Sequence, residues 1–144
     1  MAENWVIPCN VKFFDLPNHF KHKTTVVWRN SFAIRKGDIA YIYLSSPYCE
    51  IRYKCFVIND QVDDILLQAN PYAIPAKRSN TTPSKTVRYI EMEYVCEYPE
   101  GTFTLEKLRE HGLGQVQIQA RTDRRLQAYL NTIELQLEEN GGIL

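Results

Sequence analysis

Ile39-Ala40-Tyr41-Ile42-Tyr43-Leu44 is the stretch of sequence that decides the fold. All six side chains are apolar or aromatic, so both faces of a strand built from them favour burial. Gly37-Asp38 precedes the run and Ser45-Ser46-Pro47-Tyr48 follows it, and residues of these types are typical of turns. A short apolar run between turns is typical of a central strand covered on both faces. We therefore expect this strand in the middle of a sheet.

Alternating apolar and polar residues predict two longer strands, at residues 50–58 and 88–97. In the first, the apolar side is Ile51, Tyr53, Cys55 and Val57, and the solvated side is Glu50, Arg52 and Lys54. In the second, the apolar side is Ile90, Met92, Tyr94 and Cys96, and the solvated side is Glu91, Glu93 and Glu97. Shorter strands are predicted at residues 5–9, 24–28 and 115–118. Because proline cannot donate a ladder hydrogen bond, Pro8 indicates a sheet edge or the end of a ladder.

Capping residues and apolar spacing predict three helices. Asp15 is a candidate N-cap within residues 11–22, and Pro17 fits the first turn after it. Thr104 and Gly112 bound a short helix, and Asp123 caps the last one. The last helix has one apolar stripe, formed by Leu126, Tyr129, Leu130, Ile133 and Leu137. Mostly antiparallel strands with helices outside predict an α+β, barrel-like domain.

The length of 144 residues fits one domain, which we expect to span residues 1–144. Residues 59–85 sustain no period and hold three of the seven prolines, so we expect a long loop there. Seventeen Lys and Arg residues balance seventeen Asp and Glu residues, giving zero net charge. This balance excludes a protein that binds nucleic acid through bulk positive charge.

The sequence predicts a cytoplasmic protein without a membrane partner. Ala2-Glu3-Asn4 follows Met1 where a secretory signal would have basic residues, and no apolar run approaches the ~18 residues of a membrane span. The four cysteines are widely spaced, and the closest two are Cys49 and Cys55. This spacing disfavours a zinc site and a disulfide scaffold, so we expect no metal. We also expect no cofactor.

No motif predicts catalysis. His19 and His22 lie among lysines, which favours a solvated helix face over a catalytic triad. Glu91 and Glu93 share the polar face of a strand, and Gly112-Leu113-Gly114 is a helix end without the residues of a phosphate loop. We expect no catalytic residue.

The cations are concentrated in three places despite the zero net charge. Residues 12–36 hold six cations and one acid, residues 76–88 hold four cations and no acid, and residues 121–125 hold three cations. Such clusters have two interpretations, ordinary solvated surface and a phosphate-binding surface, and the sequence does not choose between them. The candidate phosphate ligands are Arg29, Lys77, Arg78, Arg121 and Arg124.

Aromatic residues make up 12% of the chain, and their positions divide them into two groups. One group follows core periodicities: Phe13, Phe20, Tyr53, Tyr94 and Tyr129. The second group, Trp28, Tyr43 and Tyr48, lies beside polar turns that include Ser45 and Ser46. Rings for stacking and a few fixed polar groups are what an unstacked base requires of its pocket.

These motifs, in this order, resemble the EVE domains of the PUA-like superfamily, which are related to the YTH and ASCH domains. The resemblance rests on Trp5-Val6-Ile7, Trp28-Arg29-Asn30, Lys36-Gly37-Asp38, Tyr43-Leu44-Ser45, the alternating strand after them, the late helix and Gln117-Ile118-Gln119-Ala120-Arg121. Two positions depart from the common family pattern. Pro8-Cys9-Asn10 replaces Lys-Ser-Glu-Pro, and Leu44 replaces a histidine.

The resemblance implies a PUA-like mixed or antiparallel β pseudobarrel with peripheral helices and a pocket for a modified base of DNA or RNA. It also implies that the domain is not an enzyme and that a separate effector protein supplies any chemistry. The resulting hypothesis places the base in a pocket formed by Asn10, Trp28, Tyr43, Ser45, Ser46 and Tyr48.

Two alternatives stay open. The first is a small ASCH-like amidohydrolase that acts on nucleoside derivatives through a Lys, Thr and Glu set, for which Lys23, Thr24 and Glu91 are candidates. The second is a protein-interaction module that uses residues 59–85.

Overall fold

The computed structural model describes residues 2–62 and 88–141. Within these residues, six strands and three helices follow one another along the chain. They are β1 (Asn4–Cys9), α1 (Leu16–His22), β2 (Thr25–Asn30), β3 (Ile39–Leu44), β4 (Glu50–Asn59), β5 (Arg88–Glu97), α2 (Leu105–Glu110), β6 (Ala120–Arg121) and α3 (Arg124–Glu139). The α+β class is confirmed. Most of the predicted loop, including Lys77 and Arg78, lies outside the described residues.

All six strands belong to one mixed sheet with the order β2-β5-β4-β3-β1-β6. β1 and β3 are parallel, and the other pairings are antiparallel. β3 lies between β4 and β1, so its predicted central position is confirmed. β6 pairs with Trp5 and Val6 only. At Pro8, therefore, β1 pairs with β3 alone among the described strands, which suits a residue without an N–H.

The sheet carries an apolar cluster on each face, as the all-apolar β3 sequence predicts. Ala40, Ile42 and Leu44 belong to one cluster, in which α1 also packs; we call it the α1 core. Tyr41 and Tyr43 belong to the other, in which α2 and α3 pack; we call it the α2/α3 core. Because neighbouring strand residues point to opposite faces, β3 anchors both cores.

Two β-bulges move apolar side chains from one core to the other, which simple alternation did not predict. Ile42 pairs with Tyr53 but Tyr43 pairs with Ile51, so Arg52 is an extra residue in β4. As a result Ile51 packs in the α2/α3 core, while Tyr53 packs in the α1 core. A second bulge in β5 has the same effect: Val95 is the extra residue, and Cys96 packs in the α2/α3 core rather than beside Tyr94.

The predicted helix caps are confirmed. Asp15, Thr104 and Asp123 each accept a hydrogen bond from a backbone N–H of the first turn that follows. All five residues of the predicted stripe on α3 pack in the α2/α3 core. No helix of the described residues is long and apolar enough to cross a membrane.

Four local predictions are wrong. Phe13 is 50% exposed, because it precedes α1 in a turn and has no helical face to bury. Residues 115–118 form a bend, and the short strand β6 begins two residues later. His19 is buried in α1 rather than solvated, and Glu50 is buried because its carboxylate pairs with the Arg52 guanidinium at 2.6 Å.

Gln119 links the two edges of the sheet. Its Nε2 donates to the carbonyl oxygen of Arg29 at 2.6 Å, and its Oε1 accepts from the backbone N–H of Ser31 at 3.0 Å. Arg29 belongs to the edge strand β2, whereas Gln119 immediately precedes β6 at the opposite edge. This buried carboxamide therefore helps to hold the sheet in its curled shape.

Candidate functional site

Four of the six residues predicted for the base pocket line one cleft, with a volume of about 360 Å³. Its lining is Pro8, Cys9, Asn10, Tyr43, Ser45, Ser46, Val116 and Gln117, and we call it the main cleft. The volume lies within the ~300–1,000 Å³ usual for small-molecule sites.

The parallel pairing of β1 with β3 brings these residues together. Cys9 and Leu44 are partners at the ends of the two strands, so the residues after both strands emerge side by side. The backbone N–H of Ser45 donates to the carbonyl oxygen of Cys9 at 3.0 Å. The Ser45 hydroxyl oxygen accepts from the backbone N–H of Val11 at 3.1 Å. The two strand ends are thereby held in one arrangement, with Asn10 and Ser46 exposed at the rim.

Tyr43 supplies the aromatic part of the main cleft. It is 4% exposed and packs in the α2/α3 core. Burial, followed by the neighbouring Cys49 thiol, raises the pKa of Tyr43 to about 12. The phenol therefore stays neutral near pH 7 and retains its O–H donor.

The lining of the main cleft holds no formal charge near neutral pH. Burial, with a smaller contribution from the Asp15 carboxylate, raises the pKa of the Cys9 thiol to about 12, so it is not a thiolate. The polar groups are two hydroxyls, two carboxamides and one phenol. Such groups suit a neutral ligand that both donates and accepts hydrogen bonds.

Trp28 and Tyr48 do not line the main cleft. Trp28 packs against the α1 core, with its ring centroid 5.2 Å from that of Phe14. Tyr48 is 38% exposed and borders a separate depression beside Tyr53 and Tyr94. The guanidinium of Arg52 lies 5.4 Å from the Tyr48 ring centroid, so this ring already has a cationic neighbour. The structure thus separates the three rings that the sequence grouped together.

The candidate phosphate ligands among the described residues are all exposed. Arg29 lies on β2, Arg121 on β6 and Arg124 at the start of α3. Arg121 and Gln119 line one depression, and Gln119 also bonds the backbone carbonyl of Arg29. The lining of the main cleft includes none of the three.

Val116 and Gln117 complete the main cleft, and sequence reasoning missed both of them. They follow α2 in an irregular segment, which the sequence analysis interpreted as a strand. A polar residue in an irregular segment carries no periodic signal. Its contribution to the site depends on where the preceding helix directs the chain.

Lys23, Thr24 and Glu91, the candidates for amidohydrolase chemistry, lie away from the main cleft. Lys23 caps the C-terminal end of α1, and Thr24 follows it. Glu91 on β5 pairs with Val27 on β2, three strands away from β1.

No family model matches this chain, and no curated protein matches it. Several solved structures share its fold over almost the whole chain. Human THYN1, in complex with DNA containing 5-methylcytosine, aligns with a TM-score of 0.62 at 9% identity, covering 92% of this chain and 97% of THYN1. A single-site variant of the ASCH protein from Zymomonas mobilis aligns with a TM-score of 0.61 at 13% identity, covering 92% and 96%.

The fold is a PUA-like pseudobarrel. A hypothetical protein from Leishmania major has the same fold, with a TM-score of 0.62 at 16% identity, covering 94% of this chain and 97% of the other. The fold that the motif order implied is therefore confirmed. In this pseudobarrel the main cleft lies where parallel strands β1 and β3 end, beside the segment between α2 and β6.

Proposed function

We propose that this protein binds nucleic acid without catalysis and accepts one modified base in the main cleft. The observation that carries the proposal is the convergence of Asn10, Tyr43, Ser45 and Ser46 on one uncharged cleft. The EVE-like order of motifs and the likeness of fold to THYN1, whose structure contains DNA with 5-methylcytosine, support the same class of ligand.

The chemistry of the lining matches a base that has left its stack. Tyr43 and Val116 supply apolar surface, and the Gln117 carboxamide offers a donor and an acceptor to a base edge. The Asn10 carboxamide offers its Nδ2–H donors, because its Oδ1 already accepts from the Lys12 backbone N–H at 3.0 Å. A nucleobase is uncharged at neutral pH, so it enters an uncharged lining without an ionic desolvation penalty. A separate effector protein would supply any chemistry that follows binding.

Binding titrations with short DNA and RNA strands test the proposal. One set of strands carries a central 5-methylcytosine or N6-methyladenine, and the other set is unmodified. We expect the protein to prefer at least one modified strand, and we expect Gln117→Ala to weaken that binding about tenfold through lost contacts to the base edge.

The matched control is Gln136→Ala, because Gln136 is an exposed glutamine on α3 whose backbone carbonyl, not its side chain, bonds Asn140. It should bind like the wild type. Equal affinity for every modified and unmodified strand would refute the proposal, as would unchanged binding by both Asn10→Ala and Gln117→Ala.

The similarity of fold to an ASCH protein favours a second candidate function, the hydrolysis of acylated nucleosides. Incubation with N4-acetylcytidine distinguishes the two functions, because an amidohydrolase would release cytidine and acetate. We expect no release above that from a Lys23→Ala, Glu91→Ala control. Release by the wild type alone would replace the binding proposal with the enzymatic one.

A further inference from the structure

A second depression lies on the other side of the segment that borders the main cleft. Val116 and Gln117 line the main cleft, whereas Gln115, Ile118 and Gln119 line the second depression. Residues 115–119 thus form a wall shared by two binding-sized spaces. The second space has a volume of about 500 Å³, and we call it the flanking groove.

The flanking groove exposes apolar surface at its rim. Phe32 is 43% exposed and Ile118 is 54% exposed, and both line the groove. Exposed phenyl and branched aliphatic side chains in one groove provide apolar surface suited to a flat ring.

Cations border the flanking groove on one side. An adjoining cleft of about 470 Å³ is lined by Arg35, Lys36 and Arg121, and it shares Ala33 and Arg121 with the flanking groove. We call it the cationic cleft. The flanking groove thus offers apolar surface for a base, and the adjoining cations offer ligands for the phosphate of the same nucleotide.

Two acids also line the cationic cleft, and their surroundings differ. Asp38 is buried, and its carboxylate oxygens already accept from the Trp5 indole N–H and from the backbone N–H groups of Glu3 and Arg35, at 2.9–3.0 Å. Glu3 is exposed to solvent at the edge, where water screens its charge. The three cations and two acids of the lining sum to a formal charge of +1, and this excess of positive charge favours a phosphate.

Arg121 connects the two spaces. Its guanidinium lies 5.2 Å from the Trp5 ring centroid, which holds it against an aromatic face. Trp5 is itself fixed by the hydrogen bond from its indole N–H to Asp38. The guanidinium plane can therefore stack on a base in the groove while its N–H groups reach a phosphate.

We propose that the flanking groove binds the base of the nucleotide adjacent to the modified one, with its phosphate in the cationic cleft. This inference rests on the proposed function, because the strand enters the groove from the main cleft across residues 115–119. The protein then reads a short single-stranded segment rather than one isolated base.

The test compares three probes that differ only beside the modified base. They are the modified nucleoside alone, a short modified strand, and the same strand with an abasic site at each neighbouring position. We expect the intact strand to bind at least about tenfold more tightly than its abasic counterpart, because stacking contributes measurably for each base.

Phe32→Ala should remove most of this difference while leaving nucleoside affinity unchanged. The matched control is Phe13→Ala, since Phe13 is a phenylalanine of similar exposure, at 50%, that lines neither space. Circular dichroism and denaturation midpoints establish that both variants are folded. Loss of binding in both variants to the same extent would overturn the inference.

The outcomes separate the two proposals. If the nucleoside binds with a preference for its modification but neighbouring bases add nothing, the flanking groove proposal is wrong and the proposed function stands. If neither nucleoside nor strand binds, both are wrong. If Phe32→Ala leaves strand binding intact, the inference fails.

Discussion

At the scale of single residues, burial of His19 links stability to pH. Its Nε2–H donates to the Thr25 carbonyl oxygen at 2.6 Å, and its ring contacts those of Phe14 and Phe20. Desolvation lowers the pKa of His19; the hydrogen bond to Thr25 opposes this shift, and the nearby charge of Lys23 adds to it. The folded state therefore disfavours the protonated ring.

We expect the free energy of unfolding to fall as the pH is lowered through about 6.5, the ordinary value for histidine. Below that pH the unfolded chain binds a proton that the folded chain still rejects, so protonation favours unfolding. The loss continues until the pH reaches the lowered pKa of the folded state. Urea denaturation between about pH 7.5 and pH 5.5 measures this loss of unfolding free energy.

His19→Gln keeps a side-chain N–H for the Thr25 carbonyl but cannot titrate, so its stability should decline less over this range. His22→Gln is the matched control, because His22 is an exposed histidine of the same helix. Parallel pH curves for the wild type and His19→Gln would show that another group is responsible.

Residue-scale contacts also explain why Trp28-Arg29-Asn30 is not part of the main cleft. The Asn30 carboxamide accepts from the backbone N–H groups of Phe32 and Ile34 and donates to the Ile34 carbonyl oxygen. These bonds shape the turn that presents Phe32 to the flanking groove. The motif therefore contributes to the second site through its backbone, while the Trp28 ring packs in the α1 core.

At the scale of elements, closure of the sheet depends on Gln119. Replacing it with leucine would leave the Ser31 N–H and the Arg29 carbonyl oxygen without this partner. We expect Gln119→Leu to lower the free energy of unfolding by about 1–3 kcal/mol, since two part-buried hydrogen bonds are lost. Urea denaturation of the variant measures the change.

Gln117→Leu serves as the control, because Gln117 lies two residues away and is exposed. It should change the stability by less than about 0.5 kcal/mol. Similar losses in the two variants would show that the buried carboxamide does not hold the sheet edges together.

The bulges at Arg52 in β4 and Val95 in β5 are also features of whole elements. Each adds one residue to a strand and so reverses which side chains face which core. Val95 is the extra residue of the β5 bulge, and its side chain is 48% exposed because it packs in neither core. Periodicity predicts alternation within each uninterrupted piece of strand, but the position of a bulge depends on the partner strand.

At the scale of the whole molecule, binding through few phosphate contacts predicts a shallow dependence of binding on salt. Single-stranded ligands release about 0.7 counterions for each phosphate contact. With one phosphate held in the cationic cleft by Arg35, Lys36 and Arg121, log affinity should fall with log salt at a slope of about −0.7. Titrations over a range of salt concentrations measure it.

Lys36→Gln should weaken binding and reduce the magnitude of that slope, whereas Lys107→Gln should change neither, because the Lys107 ammonium donates to the Gly101 carbonyl oxygen away from both clefts. A slope near zero would contradict phosphate binding in the cationic cleft. A slope steeper than about −5 would require many further contacts, contrary to a reader with few phosphate ligands.

Much of this fold could be predicted because its signals are local. The all-apolar run at β3, the alternation of β4 and β5 and the caps Asp15, Thr104 and Asp123 depend on near neighbours in the chain. Part of the main cleft could be predicted from the sequence for a related reason. Asn10 and Ser45 are polar residues directly after strands, and the resemblance to a known family implied a pocket for a base.

By itself, the sequence determined which segments become strands and helices, because backbone preferences, capping and apolar periodicity act over a few residues. Only the tertiary structure decided which polar and aromatic residues share a surface. It joined Asn10 to Tyr43 through parallel pairing, removed Trp28 into a core and placed residues 115–119 between two clefts. Those outcomes depend on packing between residues far apart in the chain, which no local pattern encodes.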